Sequence, residues 1–155
     1  MPRKKRITKR ILFTKTVEIV QPLLKLDDWK LVVKFSYSKT MKTTAHCQAL
    51  PEYKVAEITI NANDISGLSH NEIVSVAIHE MIHCLLWELG TWAHKLSGKN
   101  KFKLDVSRKY EEATVTTFEK VLLPLVSKDL NIKLREMGYN DVDLSFTDLT
   151  IEHHR

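Results

Sequence analysis

Residues 69–89 read SHNEIVSVAIHEMIHCLLWEL, and this stretch decides the fold. Ser69 and Glu72 have the S-x-x-E spacing of a capping box, in which each side chain accepts from the other residue's backbone N–H, and Leu68 can staple to Ile73 across it. Val74, Ile78, Met81, Ile82, Leu85, Leu86 and Leu89 then recur at helical spacing as a core-facing stripe. A long helix should therefore run from Ser69 to about Leu89, with Gly90 available to end it. Inside it stands His79-Glu80-Met81-Ile82-His83, an HExxH. Residues four apart on a helix lie about 40° apart and one turn above each other, so both imidazoles can aim at one metal ion. Glu80 lies about 100° from His79, bordering that site where it can take a proton from a water held there.

Upstream, Val17, Val20, Leu23 and Leu24 suggest a helix from about Thr14 to Leu26, with Pro22 as a blemish. Trp29–Tyr37 and Val55–Ala62 alternate like strands, and Thr44–Leu50 is a further extended stretch, so a small, mostly antiparallel sheet is expected. Downstream, a polar loop over 95–103 precedes a helix from about Val106 to Val121, with Pro124 near its end. From Ser127 the chain reads as one short helix and a weakly structured end containing Phe146 and Ile151. The fold class is α+β.

The 155 residues, 43% hydrophobic and 28% charged, suit one globular domain. No run approaches eighteen uncharged apolar residues, the longest being Val121–Val126, which speaks against a transmembrane helix, and no secretory core follows the basic N-terminus. Cys47 and Cys84 form no CxxC, which fits a reducing cytoplasm. Four glycines exclude Gly-rich phosphate loops. Of the 24 basic residues, six lie in residues 1–10 with no acid among them; the remaining 18 face 19 acidic residues, a net of −1. The basic character thus belongs to an arm, read as flexible over 1–12 ahead of a domain over 13–155. Such an arm is either a solubilising tail or a salt-sensitive contact for nucleic acid or an acidic partner.

A catalytic zinc site usually takes three protein ligands. Glu112, Glu111 and His94 are the candidates for the third, with Glu112 preferred. Glu111 shares an apolar stripe with Val115, Phe118 and Leu122, while Glu112 lies at its edge with Thr116 one turn on. Cys84 points toward the apolar side, as a small buried hydrophobe would. Tyr110, Tyr139 and His94 are candidates for a group stabilising a transition state. Trp87 and Trp92 flank the helix end as packing residues, and His46, His70, His153 and His154 have no partner at metal spacing.

His79-Glu80-Met81-Ile82-His83, followed by a helix with Glu112, Ala113 and Phe118, resembles the gluzincin clan of zinc metallopeptidases, in particular its small single-domain members. The resemblance covers residues 28–124, and Thr116 stands where that clan carries an orienting acid. HEMIHCLLW is similar as well to the SprT-like metalloproteases, whose third ligand is a histidine; His94 comes at a different spacing. These resemblances imply a minimal zincin-like domain that binds Zn2+ through His79, His83 and Glu112. They also imply peptide hydrolysis with Glu80 as general base, and a sheet edge, the strand ending near Asn63, for substrate backbone. Such compact zincins occur in prokaryotes and bacteriophages, and the size and lysine-rich style suit a phage-encoded protein. The competing expectation is a non-catalytic zinc-containing module that docks nucleic acid or an acidic protein through its arm.

Overall fold

The computed structural model describes residues 6–98 and 100–146. Among them, three helices pack with a three-stranded sheet, in the order α1 (Lys9–Leu23), β1 (Lys30–Ser36), β2 (Ala45–Leu50), β3 (Val55–Asn61), α2 (His70–Ser97) and α3 (Lys101–Glu136). The architecture is α+β, consistent with a small zincin-like domain.

Thr8 caps α1, accepting from the Ile11 N–H, so the helix takes in residues 9–12 of the segment read as an arm. Leu12, Phe13, Thr16, Val17 and Val20 form its buried face. Pro22 sits in the last turn, where its missing N–H costs only one bond. The helix closes with Lys25 at φ 58°, its N–H on the Pro22 carbonyl and that of Leu26 on the Gln21 carbonyl, a Schellman arrangement.

The sheet is mixed rather than mostly antiparallel. Its order is β1-β3-β2, with β2 antiparallel to β3 but β1 parallel to it, pairing Val33 with Ile58 and Phe35 with Ile60. Alternation reveals which face of a strand is buried but not its direction, and the parallel pair arises because the chain crosses over through β2. Ala56, Ile58 and Ile60 of β3 are fully buried in the core that includes Ile73, Val74, Ala77, Ile78, Met81 and Ile82 of α2. β3 is paired along both edges, so the strand ending near Asn63 cannot receive a substrate strand; β1 and β2 are the edge strands.

The capping box at Ser69 and Glu72 forms, with both reciprocal bonds present. The helix does not stop at Gly90 but continues to Ser97, ending at Gly98 with φ 58°. A glycine inside a helix costs only about 1 kcal/mol, which contact with α3 readily offsets. Leu85 and Leu89 stand 42% and 67% exposed, so only Leu86 and Trp87 continue the core-facing stripe past Cys84, and the last turns of α2 project beyond it. By length and composition His70–Leu96 could also cross a membrane, because averaged hydropathy tolerates scattered charges that break any uninterrupted run. Half of its apolar window is buried within the protein, as befits a core helix.

Asn100 caps α3 through the Lys103 N–H, reducing the expected loop to a few residues. The helix then runs uninterrupted through Pro124 to Glu136, because Val126, Leu130 and Leu134 beyond it are buried in the core. It closes at Gly138, φ 89°, by the same bond pattern as α1. The tail is better anchored than its composition suggests. Val142, Leu144 and Phe146 are buried, and the Asn131 side chain both donates to and accepts from the Leu144 backbone. Ile151, His153 and His154 lie outside the described residues.

Candidate metal centre

His79 and His83 stand one turn apart on α2, their ring centroids 5.0 Å apart, each four-fifths or more buried. α3 lies across them and supplies three carboxylates. Glu112 sits opposite both Nε2 atoms, with its Oε2 3.6 Å from His79 and its Oε1 3.4 Å from His83. Glu119, 1% exposed, accepts from His79 Nδ1 at 3.0 Å, and Glu111 accepts from His83 Nδ1 at 3.1 Å. A carboxylate on Nδ1 holds the ring proton there and leaves the Nε2 lone pair for a metal.

The donor set fits a metal ion. His79, His83 and Glu112 each offer one atom, all within 4.8 Å of one another. Ligands 2.0–2.2 Å from a tetrahedral zinc lie roughly 3.4 Å apart, close to the observed carboxylate–imidazole separations. Burial opposes charge on His79, but hydrogen bonds to Glu112 and Glu119 outweigh it and push its pKa up to about 10. His83 is raised in the same way through Glu112, and the two imidazoles hold the Glu112 carboxyl far below the usual carboxylate range. Glu80, 6% exposed, is pushed up by burial against the pull of both histidines. A divalent cation bound between these groups would replace the protons that the two imidazoles otherwise hold.

Of the three residues considered for the third position, only Glu112 reaches the Nε2 side. Glu111 is brought to the site but binds the far nitrogen of His83. His94 is not brought there. It lies eleven residues beyond His83 on the same unbroken helix, about 16 Å along its axis, and lines a groove with Trp87, Arg108 and Glu111. Tyr110 is 72% exposed on α3, and Tyr139 packs on the core. Trp87 packs against the core as expected, whereas Trp92 is 64% exposed beneath the Lys95 ammonium. Cys84 is buried as expected, its Sγ 2.8 Å from that of Cys47 on β2.

Glu119 was not among the candidates. The acid that orients His79 comes seven residues after Glu112, two turns on, rather than at the Thr116 position one turn on. The Ser75 hydroxyl, one turn before His79 on α2, donates to its other oxygen. A signal was present: Glu119 interrupts the buried series Val115, Leu123, Val126, Leu130 and Leu134, and a carboxylate in such a stripe is costly unless partnered. The stripe passes through Glu119 and not Phe118, which is 48% exposed.

Two histidines on one helix faced by a glutamate from the next, on a small α+β domain, make a candidate metal site. Residues 25–117 match the SprT-like family, and the chain belongs to it. No curated protein and no solved structure matches the chain.

Proposed function

We propose that this protein is a zinc-dependent metallopeptidase with a gluzincin-type ligand set, His79, His83 and Glu112, in a SprT-like chain. The observation that carries the reading is the convergence of both Nε2 atoms on Glu112 while both Nδ1 atoms are tied to separate carboxylates. Such tying is an investment in ring orientation that surface histidines do not need. A bound Zn2+ would supply Lewis-acid polarisation of a carbonyl and a water acidic near neutral pH.

The chain's own groups do the rest. Glu80, kept from full solvation so that its pKa rises toward the working range, takes a proton from the attacking water and delivers it to the departing amine. Glu119 and Glu111 hold the two imidazoles still while charge at the site changes. The edge strand β2 touches α2 at the Cys47–Cys84 contact, one residue from His83. An extended peptide added to the open edge of β2 would lie beside the site, bound through its backbone. Glu80→Gln keeps the size and removes the base. Zinc retained with peptide hydrolysis lost by about a hundredfold or more supports the reading; a fully active variant refutes it.

A further inference from the structure

Gly90 lies inside α2 with seven helical residues after it, and it does not adopt a left-handed conformation. No turn or backbone strain requires glycine there, and alanine would be the better helix former. What occupies the space of the missing side chain is Glu111. A Cβ at position 90 would stand 3.1 Å from Glu111 Oε2 and 3.3 Å from its Cδ, inside ordinary van der Waals contact. The other oxygen of the same carboxylate accepts from His83 Nδ1 at 3.1 Å. The two oxygens of one side chain thus meet two positions of α2 seven residues apart, on one face of the helix.

We propose that Gly90 is a positioning residue: its bare Cα is the seat that lets the Glu111 carboxylate lie flat on α2 and orient His83. The inference rests on the metal-site reading given above, since orientation of His83 matters for what its Nε2 binds. A methyl group at position 90 would press on the carboxylate and shift it by a few tenths of an ångström, which lengthens its 3.1 Å bond to His83 Nδ1. Glu111 can yield because it is the end of a flexible side chain on the solvent side of the site, with 27% of it exposed. The cost therefore falls on His83 rather than on the fold.

The test is a double-mutant cycle on the full chain, read in three ways: Zn2+ affinity by competition with a chromophoric chelator, thermal unfolding of the metal-free protein, and the His83 Nδ1–H resonance in the metal-free protein. Glu111→Ala should weaken zinc binding about tenfold or more, and Gly90→Ala should weaken it by about threefold or more. Gly90→Ala should change the metal-free melting temperature little, because the gain from alanine in a helix offsets the weakened bond to His83. Glu111→Ala should abolish the hydrogen-bonded His83 Nδ1–H signal, and Gly90→Ala should shift it upfield as the bond lengthens. The diagnostic is the double variant, which should bind zinc no more weakly than Glu111→Ala, because without Glu111 the methyl group meets nothing. Gly90→Ala with wild-type affinity and an unshifted His83 signal overturns the proposal, as do losses that multiply in the double variant. If the wild type binds no zinc, the metallopeptidase reading falls, and the His83 resonance alone then decides whether Gly90 seats Glu111.

Discussion

Glu119 offers the sharpest test of how this site is held. Its carboxylate is 1% exposed and bridges two residues of α2, accepting from the Ser75 hydroxyl and from His79 Nδ1 at 3.0 Å. Glu119→Ala strands both donors in a buried place, at about 1–3 kcal/mol each, so the metal-free protein should lose roughly 2–6 kcal/mol of unfolding free energy. The effect on the metal is separate. With no acceptor at Nδ1, the His79 ring is free to turn and to move its proton to Nε2, the nitrogen that must stay bare. Loss of such a partner typically costs ten- to a hundredfold in affinity, or about 1.4–2.7 kcal/mol. Glu119→Gln preserves the shape and an acceptor oxygen and should fall between the wild type and Glu119→Ala. Thr116→Ala, at the position one turn after Glu112, serves as the control and should bind as the wild type does. Chelator competition at pH 7.5 measures the affinities and urea unfolding the stabilities. A folded Glu119→Ala that binds zinc as tightly as the wild type, or a Thr116→Ala that is equally damaging, would refute the reasoning.

Three further outcomes follow from the same geometry. In the metal-free protein the pKa of His79 is raised to about 10 from 6.5, so its stabilising contribution is complete below pH 6.5 and is lost as pH rises through 10. Urea unfolding in chelator should show that decline, and a flat profile would contradict the pairing with Glu112 and Glu119. Because that proton must leave before an ion binds, apparent zinc affinity should climb between pH 6.5 and 9 by about tenfold per unit for each proton released; calorimetry in buffers of different ionisation enthalpy counts the protons. His94→Ala should leave zinc affinity unchanged, since the unbroken helix carries residue 94 about 16 Å from His83; a large loss would mean that α2 breaks near Gly90 in solution.

The parts of this fold legible in the sequence were those set by local chemistry. Ser69 and Glu72 announce the start of α2 because the capping box is built from neighbours, and the four-residue spacing of His79 and His83 brings their imidazoles to one face wherever that helix sits. The preference for Glu112 rests on ligand chemistry and its place at the edge of the α3 stripe, and the fold brings its carboxylate to both Nε2 atoms. What stayed hidden depends on contacts between elements distant in the chain. Gly90 and Pro124 are local stop signals, and both are overridden, one beneath Glu111 and the other by the buried residues that follow it. The parallel pairing of β1 with β3 leaves no mark in either strand, because alternation is the same in both directions. Glu119 could have been flagged as a charge within an apolar stripe, but its partners Ser75 and His79 lie 44 and 40 residues away.

The central claim is that His79, His83 and Glu112 hold a single zinc ion. It is tested most directly by elemental analysis after exhaustive dialysis, on the wild type and Glu112→Ala side by side. The terminal histidines are replaced in both, so that His153 and His154 contribute no stray metal. The account predicts about one zinc per wild-type chain and its loss or marked weakening in the variant. Zinc fully retained by Glu112→Ala, or absent from both proteins, would contradict it.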